Sequence, residues 1–465
     1  MRHAAIIVLT TALAGWAVPA GAQQSLGPRT LGRTVDTIVV PGETLGSEIL
    51  GAHKSKVRVY ACRAGFMVPV TYQIDERNAA GTYCYTQGPR DRRTQDEDEG
   101  RVDANDELIL LAREAGDRAH PNSFRMVPGY TAVAELQVHD PLIPVTTMGN
   151  AWYYVFRFTG PTAPNRLATD LVRLTPRGSG DDAHFGWRGE RFFFHNQLSP
   201  ENAVRATHVA FAPEGSRDVR GQPDLIDSTL VKAVVSFMWV EVVRMSSDIK
   251  IELGGYIDGP IRVVAENRMQ VYLALGMWVS APESYVMLWP NKVTMPTNAN
   301  CPVNLDESGE SSYSLCIDMS DQAQGWSFYN SRNATPVPID GRTSRAEREL
   351  DKGWPDWNCM FGPDGAIITK FVVPEIMLGA DRESGMIYAD DEFARRPEDE
   401  SSLEFEPGNF GLNGFYLDMS GLEEGIYPGD YVVWYCPAPF VAGDHTQYLN
   451  EYDHPVDVTR TEAGR

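Results

Sequence analysis

Short runs of alternating apolar and polar residues recur along the chain and set its secondary structure. VRVYACR (57–63), MVPVTYQI (67–74), AVAELQV (132–138), WYYVFRF (152–158) and YVVWYC (431–436) are rich in β-branched and aromatic residues, and each predicts a strand. The longest unit, DIKIELGGYIDGPIRVVAENRMQVYLALGMWV (248–279), alternates on both sides of Asp258-Gly259. That dipeptide suits a tight hairpin because glycine accepts positive φ, and Pro260 behind it implies a turn wider than two residues. A helix is expected at SRAERELDKG (344–353), which opens with the capping-box pair Ser344 and Glu347 and stops at Gly353. NDELILLAREAGD (105–117) fits a helical period and a buried strand equally well. The pattern predicts a mainly β chain of two or three β-sandwich-like domains with very little helix.

The first residues change the picture of where this fold works. MRHAAIIVLTTALAGWAVPAGAQQ has a short basic start, an apolar run and the small-residue site Ala20-Gly21-Ala22. It predicts a signal peptide over 1–22, cleaved near Ala22, and a periplasmic or extracellular protein. The later apolar run, 230–245, carries Lys232, Glu241 and Arg244 and is too interrupted to span a membrane. Beyond the leader, composition suggests an N-terminal β domain (23–140), a central β-sandwich domain (141–340) and a C-terminal β-rich segment with acidic loops (341–465). The six cysteines form no Cys-x-x-Cys, so haem-attachment, redox-dithiol and zinc-ribbon readings fall away. In an exported chain an even count predicts a disulfide-stapled fold, with Cys62–Cys84, Cys301–Cys316 and Cys359–Cys436 favoured by their order.

A formal net charge of −22 repels nucleic acid, anionic lipid and polyanionic glycans, sets nucleic-acid binding aside, and suits cations or neutral ligands. Its densest patch is TQDEDEGRVDANDEL (94–108), in which Asp96, Asp98, Asp103, Asp106 and Glu107 are candidate calcium ligands. Neither register of a twelve-residue calcium loop is clean: placing Gly100 at six puts Gln95 at one, and starting at Asp96 moves the glycine to five. A solvated acidic turn and a catalytic carboxylate cluster are the other readings.

The surrounding residues carry a resemblance. VPVTYQIDERNAAGTYCYTQG (68–88), the acidic stretch and DANDELILLAREAGDRA (103–119) resemble secreted bacterial β-rich proteins in which a vP-x-Q-x-D strand precedes a Gly/Asp loop and DELVFLA. Similar openings stand before carbohydrate-active β-sandwich domains, including rhamnogalacturonan-lyase-like and mutarotase-like ones. The matching residues are Pro69, Gln73, Asp75, Asp106, Glu107 and Leu108. The resemblance implies a β-sandwich and assigns no catalytic position.

Other chemistry is sparser. No His-Glu-x-x-His, Gly-x-Ser-x-Gly, phosphate loop or dinucleotide fingerprint occurs. Elimination on a uronate-containing glycan needs a base and a cationic neutraliser, and His195, Tyr256, Asp258 and Arg262 supply those types. They are equally ordinary sheet and turn residues. Trp354 and Trp357, in GWPDWNCMFGPDG (353–365), suit either a sugar-stacking platform or a core lid. A second acidic run, 390–406, reads as a solvated loop or as paired carboxylates for glycoside hydrolysis. Two functions follow: an exported protein that binds or processes a carbohydrate, with calcium as a stabilising cofactor and a glycan as partner, or a non-catalytic envelope or surface-assembly protein.

Overall fold

The computed structural model describes residues 25–461 except 99, 146, 162, 178–183, 197–205, 238–239, 275–276, 281–283, 302–303, 306–308, 380–381 and 393–407. The expected leader and most of the second acidic run lie outside the described residues. Among those described, the strands form five antiparallel sheets.

Two sheets belong together at the N-terminal end. One has the order β1 (Thr37–Pro41), β5 (Glu107–Leu111), β4 (Gln73–Asp75). The other runs β27 (Asp457–Thr461), β6 (Tyr130–His139), β7 (Asn150–Phe158), β2 (Val57–Arg63), β3 (Phe66–Pro69). Val40, Leu108, Leu110, Val59, Leu136 and Val155 fill the space between them. The last described strand thus returns to pair with β6, Thr461 opposite Glu135.

Strand β5 explains the ambiguous 105–117 segment. All five of its residues are buried, Leu108 and Leu110 in the N-terminal core and Ile109 and Leu111 in a second, larger one. A strand covered on both faces needs an unbroken apolar run, which shows no period of two. Only the single turn Ala112–Glu114 that follows is helical, and it is a 3-10 turn.

The larger core lies among the other three sheets. A four-stranded sheet has the order β11 (Ala206–Phe211), β10 (Phe192–Asn196), β9 (His184–Arg188), β8 (Arg173–Arg177). A five-stranded sheet runs β13 (Val240–Met245), β12 (Ile226–Phe237), β19 (Ser312–Met319), β25 (Leu412–Asp418), β24 (Gly385–Ala389). The ten-stranded sheet begins β14 (Ile249–Asp258), β15 (Val263–Ala274), β17 (Ser284–Leu288), β18 (Lys292–Cys301), β26 (Gly425–Pro437). It continues β23 (Gly365–Val372), β22 (Asn358–Gly362), β20 (Ser327–Asn330), β21 (Val337–Pro338), with β16 (Met277–Ser280) pairing on β15. Trp187, Phe192, Trp326, Phe328 and Phe415 are buried between these sheets. The expected wide hairpin is present: Asp258 pairs with Val263, leaving 259–262 as the loop.

The apolar run 230–245 forms most of the β12–β13 hairpin. Among the described residues no helix is long and apolar enough to cross a membrane. Helix α1 (Arg345–Arg348) has the expected capping box, with the Glu347 N–H donating to Ser344 Oγ at 3.3 Å. Helix α2 (His445–Asp453) was not expected; its Tyr448 and Leu449 pack with Trp434 and Cys436.

The disulfide expectation is corrected. All six cysteines are buried free thiols. Cys62 packs with Ala119 and Phe156, Cys301 with Met377 and Leu417, and Cys316 with Leu230 and Leu412, each in a different apolar cluster. Burial, reinforced by Asp96 and Glu76, pushes the Cys84 thiol up to about 12. Cys359 and Cys436 share a cluster, but β23 runs between their strands, with Ile368 opposite Cys359 and Ala366 opposite Cys436. Strands separated by a common neighbour lie roughly 9.5 Å apart, beyond the ~7 Å Cα reach of a bridge.

Candidate functional site

Three of the resemblance residues, Gln73, Asp75 and Glu107, converge on the hairpin loop of the ten-stranded sheet. Gln73 Oε1 accepts the backbone N–H groups of Ile261 (3.0 Å) and Arg262 (2.9 Å), while its Nε2 donates to Arg262 O (2.8 Å) and Asp75 Oδ1 (2.7 Å). Gly259 is required here, since a Cβ would stand 2.1 Å from the Gln73 amide carbon. Arg262 itself is fully buried. Its Nε and Nη2 donate to Asp75 Oδ2 at 3.0 and 2.5 Å, and Nη2 also reaches Glu107 Oε2 at 2.6 Å. Glu107 accepts further from Arg77 (3.0 Å) and the Tyr83 hydroxyl (3.0 Å). Burial raises Asp75, opposed by the Arg262 charge. Every donor of this guanidinium that meets a carboxylate does so inside the protein, so Arg262 is a structural cation and has no access to substrate.

The acidic loop sits beside this junction. Gly100 turns the chain at φ +80°, and its N–H donates to Glu76 Oε1 at 2.5 Å, while Lys54 holds Glu76 Oε2 at 2.8 Å. Asp96, Asp98 and Asp103 bring one oxygen each within 4.8 Å of one another. Asp106 and Glu107, expected as ligands with them, are outside the group. Asp106 accepts the N–H groups of Arg77 and Asp103, both at 3.1 Å, and Glu107 is committed to Arg77, Tyr83 and Arg262. Burial pushes Asp106 up to about 7 and, together with Asp98, Asp96 up to about 6.

Of the four residues considered for elimination chemistry, Tyr256, Asp258 and Arg262 share the β14–β15 hairpin and its loop, and His195 belongs to another sheet. His195 lies on β10, paired with His208 on β11, and Phe193 stacks near it at 6.1 Å. His208 itself pairs with Asp224 at 2.8 Å. Tyr256 is on β14 opposite Ala265, and its backbone pairs with Gln87. Trp354 packs on Phe371 and Phe415, and Trp357 on Tyr329 and His445, which places both in aromatic packing.

Asp258 leads to a feature the sequence did not announce. Its carboxylate accepts the Leu174 N–H and lies in the field of Asp170 and Arg173; burial and the Asp170 charge push it up to about 6. Asp170 and Arg173 border a cavity of about 220 Å³ with a floor of Leu171, Val172 and Gly189 and further walls of Arg188 and Arg217. Arg173 pairs with Asp170 at 3.0 Å. The other two guanidiniums bond backbone carbonyls: Arg188 donates to Arg217 O, and Arg217 to Asp170 O at 2.9 Å. Asp218, whose carboxyl Arg188 helps to lower, is taken by Arg220 at 2.6 Å. The cavity residues spread over 170–217, and no local motif joins them.

No protein-family model matches the chain, and no curated protein matches it in sequence. Among solved structures it is similar to a glycosyl hydrolase family 38 protein from Enterococcus faecalis, with 8% identity and a TM-score of 0.44 over 94% of this chain and 47% of that one. It is also similar to an α-mannosidase from Enterococcus faecalis V583, with 8% identity and a TM-score of 0.40 over 94% of this chain and 45% of that one. The chain spans just under half the length of either protein, and at these scores neither one's activity transfers to it.

Proposed function

We propose that this is an exported carbohydrate-binding protein whose ligand carries a carboxylate, held in the cavity bordered by Arg173, Arg188 and Arg217. The observation that carries the reading is the gathering of three guanidiniums and one carboxylate, Asp170, around one small recess, with Asp258 close enough to feel the charges of Asp170 and Arg173. A ligand suited to it is negative overall, accepts hydrogen bonds from planar guanidiniums and donates others to carboxylates. A uronic acid, with one carboxylate among several hydroxyls, has that chemistry. At about 220 Å³ the recess falls below the roughly 300–1,000 Å³ of ordinary small-molecule sites and fits one such unit. Binding is favoured over turnover because Arg262 is buried and His195 lies on a different sheet from Tyr256 and Asp258.

The test is calorimetric titration of the mature protein with galacturonate and glucuronate oligosaccharides and their neutral counterparts at low salt. Acidic oligosaccharides are expected to bind, and Arg188→Ala with Arg217→Ala to weaken them roughly 10- to 100-fold, the value of one or two charge-assisted hydrogen bonds. His195→Ala is the control and leaves affinity unchanged. Equal binding of neutral sugars, or full affinity in the double variant, removes the proposal.

One observation favours the assembly reading instead. Leu142, Val145 and Met148, in the connection between β6 and β7, are about half exposed. Self-association that disappears on replacing all three by serine, measured by light scattering, distinguishes it.

A further inference from the structure

We propose that Asp96, Asp98 and Asp103 form a calcium site, with the side-chain oxygen of Asn105 as a fourth ligand. Three carboxylates with oxygens within 4.8 Å of one another repel unless a cation stands between them. Among the described residues no lysine or arginine pairs with any of the three; Lys54 is engaged by Glu76, and Arg77 by Glu107.

The second observation is independent of the clustering. Asp96 is more than nine-tenths buried, and among the described residues its Oδ2 meets no hydrogen-bond donor; the atoms Asp98 Oδ1 and Asn105 Oδ1 are likewise shielded and meet none. Buried polar atoms are almost always satisfied, and ionised aspartates and an amide oxygen can only accept. Shielded acceptors without a donor, in and beside a cluster of three carboxylates, are the signature of a cation. The Asn105 amide is oriented for this role, because its Nδ2 donates to Asn78 O at 3.0 Å and its N–H to Asp103 Oδ1 at 3.1 Å.

The donor set selects the ion. All candidate ligands are oxygens, which suit a hard cation and not zinc or copper. Calcium bonds oxygen at about 2.3–2.6 Å, so opposite ligands stand up to about 5 Å apart, and it tolerates irregular geometry. Magnesium demands a tighter octahedron and retains its waters. The sequence Asp96-x-Asp98-x-Gly100 resembles half of a helix-loop-helix calcium site, but Asp103 and Asn105 replace the distant twelfth ligand, and a strand follows where a helix would.

The experiment uses the mature full-length protein stripped with a chelator, titrated with calcium chloride by calorimetry and melted with and without the ion, magnesium chloride serving as the comparison. One calcium per chain and a raised melting midpoint are expected, with magnesium at least tenfold weaker. Asp96→Asn with Asp98→Asn keeps the shape and removes two charges. It is expected to weaken calcium at least 100-fold while raising the midpoint of the stripped protein, since the mutual repulsion is gone. That opposite sign separates a cation site from residues that merely support the fold. No heat and no shift with 10 mM calcium, or undiminished calcium binding in the double variant, overturns the assignment and leaves a hydrated acidic turn.

Discussion

Replacing Arg262 by methionine gives the sharpest test of how the two cores are joined. The side chain is 1% exposed, Asp75 is fully buried and Glu107 is 12% exposed, so the substitution leaves one carboxylate without a cation in a dry setting. Glu107 keeps Arg77 and Tyr83, whereas Asp75 keeps, among the described residues, only the Gln73 amide. Breaking a buried pair from one side costs about 3–5 kcal/mol, far more than the pair adds over an apolar replacement of both partners. Arg262→Met is therefore expected to lose about 3–5 kcal/mol, and a second change, Asp75→Leu, to recover much of it despite shortening the chemistry by one more polar group. Arg262→Lys should fall between, because a single ammonium cannot reproduce the fork onto Asp75 and Glu107. Urea unfolding followed by tryptophan fluorescence reads all of this, since Trp289 lies 5.1 Å from the guanidinium and reports the junction itself. A loss below about 1 kcal/mol for Arg262→Met, with an unchanged denaturant slope, would falsify the buried-junction argument and reopen Arg262 as an accessible group.

Two further outcomes are expected. Asp258 is pushed up to about 6 from an ordinary value near 3.8, so the folded protein retains a proton that the unfolded chain releases. Its contribution to stability is greatest below about pH 4 and is lost as pH rises through 6; affinity for an acidic sugar should fall over the same range as a second negative charge appears, and Asp258→Asn should flatten the calorimetric pH profile. An unaltered slope in that variant detaches Asp258 from the cavity. The thiols provide the other outcome: a chromogenic disulfide reagent should find little reactive cysteine in the native protein and six equivalents after denaturation without reductant. Fewer than six equivalents would show that bridges form after all.

Much of the sheet structure was legible from the β-branched and aromatic residues of its strands, even where both faces are buried. Residues 57–63, 152–158 and 431–436 were visible from their side-chain types, and Asp258-Gly259-Pro260 marked a hairpin whose width the register bears out. Strand β5 was ambiguous for a physical reason: burial on both faces erases the alternation that separates strand from helix. Helix α2 was missed because nine residues with three buried positions give little periodicity. The cysteines misled because even number and export are statements about compartment, while bridging is a matter of geometry, and β23 between Cys359 and Cys436 supplies a separation that no spacing in the chain encodes.

The candidate sites divide along the same line. The acidic loop was legible as a concentration of charge, but which carboxylates remain available depends on which ones the backbone and neighbouring cations consume. Asp106 satisfies two N–H groups and Glu107 two arginines and a tyrosine, so the ligands nearest the strand drop out and those nearest Gly100 remain. The resemblance residues acquire a physical meaning in the same way. Gln73 mimics a strand partner for the backbone of Ile261 and Arg262, Asp75 and Glu107 neutralise the guanidinium, Asp106 fixes the end of the loop, and Leu108 fills the core. A glutamine, two acids and an apolar run at those spacings dock one β-sheet onto the hairpin of another. Such a joint needs neither a reacting substrate nor an open cleft, and its loop borders the arginine-lined cavity from behind, Pro260 O accepting the N–H of Leu171 at 2.8 Å.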